Sequence, residues 1–268
     1  MVSSIELRTG RELFDLTVAA VSAFLIITLL GIITFGAVYF WAVVGLVITI
    51  ISIMVANSSV KRKAVRVTRG GVPEIEELVD EARSKLEMGR TEVYIDGSRE
   101  VNAYTRGIFG PIIVLHKGLV DVMNRGELLY VIGHEMGHIK LKHSPLKTLF
   151  EAGMVNVPLI LYLPLMAFRL LFFRARLSRS MEHSADRAGL HACGDIRSVV
   201  GCMLKLKSNG RPIDRGAISE AISMGLTGRT DDFRLSELLS SHPETTRRIR
   251  EIVEYSKKTG VGWVEIAA

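Results

Sequence analysis

Cysteine is nearly absent: Cys193 and Cys202 are the only two in 268 residues, and no Cys-x-x-Cys spacing occurs. That pattern excludes a disulfide framework and a cysteine-based zinc site, and both side chains are expected to be reduced, partly buried thiols. Internal repeats and low-complexity tracts are missing as well. So is any basic-aromatic motif of an RNA or DNA reader: the Lys and Arg residues behind the net charge of +6 are spread along the chain, and nucleic acid is not expected as a partner.

The lack with the largest consequence is of charge. From Leu16 to Val60 no charged residue occurs, in a chain that is 48% hydrophobic and 23% charged. One straight helix of roughly 45 residues is far longer than a bilayer is thick, so the run must fold back on itself. Gly31, Thr34 and Gly36 lie near its middle, which predicts spans at about 14–33 and 36–56 joined by a very tight turn. A cleaved signal peptide does not fit, because the run is too long, lacks a small-residue cleavage site and has a leader of mixed charge. Arg8 and Arg11 precede the run, and Lys61, Arg62, Lys63, Arg66 and Arg69 follow it, so both ends are expected in the cytosol. The organisation expected is a transmembrane hairpin over 1–60, in contact with the lipid bilayer, and a second domain over 61–268.

In that second part, Pro73 with Glu74, Glu76 and Glu77 opens an amphipathic helix to about Gly89, with Ile75, Leu78, Val79, Ala82 and Leu86 at helical spacing. Glu92 to Ile95 and Pro111 to Leu115 read as short strands of a small sheet, with Asn102, Ala103 and Tyr104 between them. From Gly126 the pattern is helical, with Leu128, Leu129, Val131, Ile132, Met136 and Ile139 forming one stripe. A further apolar stretch, 154–173, is broken by Asn156, Pro158, Pro164 and Arg169. A single crossing there would separate the helix of residues 126–143 from the acidic segment near residue 182, so the stretch is expected to be re-entrant, interfacial or groove-lining. The fold class expected is mainly α with a small β-sheet.

His134-Glu135-Met136-Gly137-His138 matches H-E-x-x-H. On a helix, the four-residue interval places both imidazoles on one face, one turn apart, where they can share a zinc ion, with Glu135 beside them as general base. Such a site needs a third protein ligand from elsewhere and an open position for water. Glu182 and Asp186, four apart in a later segment, are the candidate ligand and the candidate acceptor for the other nitrogen of a ligating imidazole; His183 and His191 are rival ligands.

These residues resemble a known group, the integral-membrane zinc peptidases that include the HtpX heat-shock protease and the CAAX prenyl endopeptidase. The resemblance covers residues 92 to 254. Asn102-Ala103-Tyr104 is similar to the group's Asn-Ala-aromatic motif, Gly118-Leu119-Val120 to the turn before its metal helix, and Glu182 to Asp186 to its Glu-x-x-x-Asp segment. Ser241-His242-Pro243 followed by Arg247, Arg248 and Ile249 is similar to its His-Pro motif with a later Arg. The resemblance implies a zincin-like (gluzincin) metallopeptidase domain with one zinc per chain on His134, His138 and Glu182. It implies oxyanion stabilisation by His242 and Arg248, and substrate contact at Asn102, Ala103 and Tyr104. It also implies polypeptide substrates, chiefly damaged or misfolded membrane proteins, met at the cytoplasmic face of the cell (inner) membrane. A selective processing or prenyl-protein endopeptidase is the alternative, and a non-catalytic zinc scaffold the alternative of another class. Glu135 speaks against the scaffold, since structural zinc needs no general base. Members of the HtpX type usually carry two clear membrane segments between metal helix and glutamate, where this chain has one proline-broken stretch.

Overall fold

A computed structural model describes residues 10–33, 37–68, 70–107, 110–143, 178–227 and 243–263. Two long helices come first, α1 (Gly10–Ile33) and α2 (Ala37–Lys63). Neither contains proline, and α2 closes on Lys61, Arg62 and Lys63, cations that suit the carbonyl end of a helix. Residues 14–33 of the first expected span lie in α1 and residues 37–56 of the second in α2, and 34–36, which include the expected turn, lie outside the described residues. Among the described residues no helix is long and apolar enough to cross a membrane; side chains at positions 27, 30 and 33 of α1, among others, lie outside that set.

After β1 (Val65–Arg66), α3 (Pro73–Lys85) begins with proline in its first turn, where a missing N–H costs nothing, and acidic Glu74 and Glu76 face its N-terminal dipole. It stops before Gly89 because Glu87 adopts a left-handed φ of 50°. The strands β2 (Glu92–Asp96), β3 (Ala103–Arg106) and β4 (Ile112–His116) complete a sheet of order β1-β2-β4-β3. β2 runs parallel to β4, whereas β1 and β3 are antiparallel to their neighbours. All five residues of β4 are buried, as expected of an inner strand, and β3 is left at the edge. The residues 103 and 104 thus belong to an edge strand and not to a connection between two strands.

The short α4 (Lys117–Val122) leads to α5 (Arg125–Lys140). Asn124 and Glu127 form a reciprocal capping box at its start, and Glu127, itself buried, also pairs with Lys205 at 2.7 Å. From Glu127 to His138 every residue of α5 is buried, so the helix is the spine of the core. Around it stand α6 (Ser178–Cys193), α7 (Ile196–Lys207), α8 (Arg215–Thr227) and α9 (Pro243–Thr259).

The closest pairing is α5 on α6, and small residues explain it. A Cβ placed on Gly133 would stand 2.3 Å from the Cβ of Ala192, one on Gly137 2.6 Å from that of Ala188, and one on Gly189 2.6 Å from the ring of Tyr130. The two backbones therefore approach along a seam that no larger residue allows, and side chains from both helices meet at its end. The apolar stretch 154–173 and His242 lie outside the described residues.

Candidate metal centre

The α5 periodicity puts His134 and His138 one turn apart, both buried, with their Nε2 atoms 3.2 Å from each other. Across the seam, α6 supplies Glu182, whose Oε2 lies 3.5 Å from His134 Nε2 and whose Oε1 lies 3.5 Å from His138 Nε2. Three ligands about 2.0–2.1 Å from a tetrahedral zinc stand roughly 3.3 Å from one another. The two Nε2 atoms meet that separation and each has one oxygen of the Glu182 carboxylate at 3.5 Å, so the donor set is of the kind that holds zinc. Among the described residues, His134, His138 and Glu182 form a group able to hold a metal, with ligand atoms all within 4.8 Å of one another. The rivals are not part of that group: His191 Nε2 lies 2.8 Å from the hydroxyl of Tyr255, and His183 is buried on α6 outside the cluster.

Behind the ligands sits a charged layer. His134 Nδ1 stands 3.0 Å from Oδ1 of Asp186, which is buried and also accepts from the Tyr130 hydroxyl at 2.8 Å. Arg248, brought in by α9, donates Nε to Asp186 Oδ2 at 2.8 Å and aims Nη2 at Oδ1 of the same carboxylate, while its Nη1 lies 3.3 Å from Glu182 Oε2. Burial alone would lower the His134 imidazole, but Asp186 and Glu182 outweigh it and push the ring up to about 9. Asp186 shows the opposite balance: burial would raise its carboxyl, yet Arg248 and His134 hold it well below the usual carboxylate range. Arg248 stays charged because Asp186 more than offsets its desolvation.

Glu135 lies on α5 beside the ligands and accepts a hydrogen bond at Oε2 from Thr105 Oγ1, 2.6 Å away on the edge strand β3. Sequence reading did not find Thr105; its only signal was a place three residues beyond Asn102, the residue just before the edge strand. Asn102 Oδ1 accepts from the N–H of Ala103 at 2.9 Å, and Tyr104 meets His116 edge-on at 5.7 Å between ring centres. The edge strand and the metal helix thus border one site.

Comparison with known proteins agrees with this arrangement. The profile of peptidase family M48 matches residues 72–256. The plastoglobule-localized metallopeptidase 48 of Arabidopsis thaliana chloroplasts is 30% identical over 72% of this chain and 60% of its own, so the chain spans less than two thirds of that relative. A protease HtpX homolog from Salinibacter ruber is 26% identical over 71% of this chain and 77% of its own, and one from Pyrococcus abyssi is 25% identical over 70% and 75%. No solved structure matches. With a metal-competent His, His, Glu cluster lying inside the matched segment, the chain belongs to peptidase family M48 and is a metallopeptidase.

Proposed function

We propose that this metallopeptidase is a membrane-anchored zinc endopeptidase that hydrolyses misfolded or damaged membrane proteins at the cytoplasmic face. The observation that carries the chemistry is the convergence of His134, His138 and Glu182 from two helices, with Glu135 held beside them by Thr105. When bound, zinc supplies a Lewis acid that polarises the scissile carbonyl and lowers the pKa of a water. Glu135 takes the proton of the attacking water and delivers it to the leaving amine nitrogen. Asp186 orients His134, and Arg248 fixes Asp186. His242 and Arg248 stabilise charge on the former carbonyl oxygen. Ala103 and Tyr104 on the edge strand, with Asn102 just before it, receive an extended substrate main chain by strand addition, which binds with little regard for sequence and suits varied unfolded substrates.

Residues 1–60 form the anchor and 61–268 the catalytic domain in this reading. The exposure of Phe14, Phe24, Leu25, Leu29 and Ile32 on α1, and of Phe40, Val43, Ile51 and Met54 on α2, supports a lipid setting for both helices. Their basic flank supports the cytoplasmic orientation.

The test is metal analysis of the detergent-purified chain together with casein digestion with and without chelator. One zinc per chain and chelator-sensitive cleavage are expected. Glu135→Gln is expected to lower hydrolysis at least 100-fold with zinc retained; unchanged cleavage removes Glu135 from the mechanism.

A further inference from the structure

The two metal-facing imidazoles are backed differently. His134 ends directly on the carboxylate of Asp186. Behind His138 stands another imidazole: His138 Nδ1 lies 3.0 Å from Nδ1 of His143, whose Nε2 lies 2.8 Å from Oε1 of Glu12. Glu12 belongs to the first turns of α1, at a separation of 131 residues from His143, and both side chains are fully buried. The second oxygen of Glu12 accepts from the hydroxyl of Ser184 on α6, two residues beyond Glu182. One turn further, Asp15 accepts from Ser180 at 3.0 Å, and Ala19 packs on Met181. The start of α1 is therefore seated on the helix that carries Glu182 and wired to the ligand on α5.

We infer that Glu12 is a positioning residue for the metal ligand His138, acting through His143. The inference rests on the zinc reading of the site. Coordination through Nε2 leaves the proton of a neutral His138 on Nδ1, where it is donated to Nδ1 of His143. His143 must then carry its own proton on Nε2, where it is donated to the Glu12 carboxylate. Each nitrogen has one role, and the chain of donors ends on a negative charge. Partners of this kind fix the ring's tautomer and orientation and raise its basicity, and their loss typically weakens metal binding by 10–100-fold. Both imidazole ligands thus end on a buried carboxylate, one directly and one by relay, and the relay carboxylate comes from the N-terminal helix.

The test uses the full chain in detergent, with zinc affinity measured by chelator competition and the visible spectrum of the cobalt(II)-substituted protein as a report on ligand geometry. Glu12→Gln is expected to weaken zinc binding by about 10–100-fold, to shift the cobalt bands, and to lower kcat with little change in KM. Ser180→Ala loosens the same helix without touching the relay and is expected to lower Tm while leaving zinc affinity within twofold of wild type. If Glu12→Gln does not fold, His143→Asn takes its place: its amide oxygen accepts from His138 but cannot reach Glu12, and zinc affinity is expected to fall as for Glu12→Gln. Wild-type affinity and cobalt spectrum in whichever variant folds overturn the inference, as does Ser180→Ala weakening zinc equally. A wild-type chain that binds no zinc overturns the metal reading as well, which separates the two failures.

Discussion

Thr105 and Asp186 show how single side chains tune the centre from opposite sides. The Thr105 hydroxyl fixes the carboxylate of Glu135, so Thr105→Val, which keeps the shape and removes the donor, is expected to reduce kcat roughly 10-fold at unchanged zinc content. Steady-state kinetics alongside metal analysis checks it. For Asp186, the folded carboxyl lies well below its ordinary value, so its stabilising contribution is complete above the unfolded pKa of about 3.9 and is lost as pH falls toward the folded one. Asp186→Asn leaves Arg248 without its buried counter-charge and is expected to cost about 3–5 kcal/mol near neutral pH. Below pH 4 the gap between wild type and variant is expected to shrink by about 1.4 kcal/mol per pH unit, measured by denaturant unfolding in chelator. A gap independent of pH down to 2 would show that the ion pair is not its source. Among these residues, His134, Glu135 and His138 were legible from spacing alone, because a helix converts a four-residue interval into one face. Glu182 was expected as the third ligand from its spacing to Asp186 and from the family resemblance, with His183 and His191 as rivals, and α6 brings its carboxylate to 3.5 Å from both imidazoles. Thr105 and Glu12 were not legible, since each acts on a partner 30 or more residues away and neither residue type is unusual where it stands.

Among the elements, the α5–α6 seam decides whether the ligands meet. Alanine is a better helix former than glycine by about 1 kcal/mol, which alone would make Gly137→Ala stabilising. The added Cβ, however, would lie 2.6 Å from the Cβ of Ala188 and 3.2 Å from the Cα of Ala185, short rigid groups that cannot swing aside. Overpacking wins, and a net loss of about 1–3 kcal/mol is expected in unfolding of the chelated protein, with weaker zinc binding as Glu182 is pushed from the two imidazoles. Helix periodicity gave α3 and α5 their place in advance, and β-branched runs gave β2 and β4. The two-residue β1 was invisible because so short a strand shows no alternation, and Ala103 to Arg106 became an edge strand through pairing with β4, which local composition does not encode.

At the scale of the molecule, the sequence announces an apolar hairpin and a catalytic domain as separate parts, and the fold ties them together through the first turns of α1. Alkaline carbonate treatment is expected to leave the full chain in the membrane pellet, consistent with the apolar residues exposed on α1 and α2. Release into the supernatant would remove the bilayer from the proposal. What the sequence conceals here is that Glu12, Asp15 and Ala19 share a buried face of α1, while Leu13, Phe14, Val21 and Phe24 on the same helix are exposed.

That division has a consequence for the fate of the protein in a cell. Glu12 stands just ahead of the uncharged run, so if residues 1–60 are the proposed anchor, any cut that freed the hydrolase from it would also strip away the carboxylate joined to His138 through His143. Under that proposal a shed fragment would carry a slackened hold on its metal, and the scissor would be disarmed by the same event that set it loose.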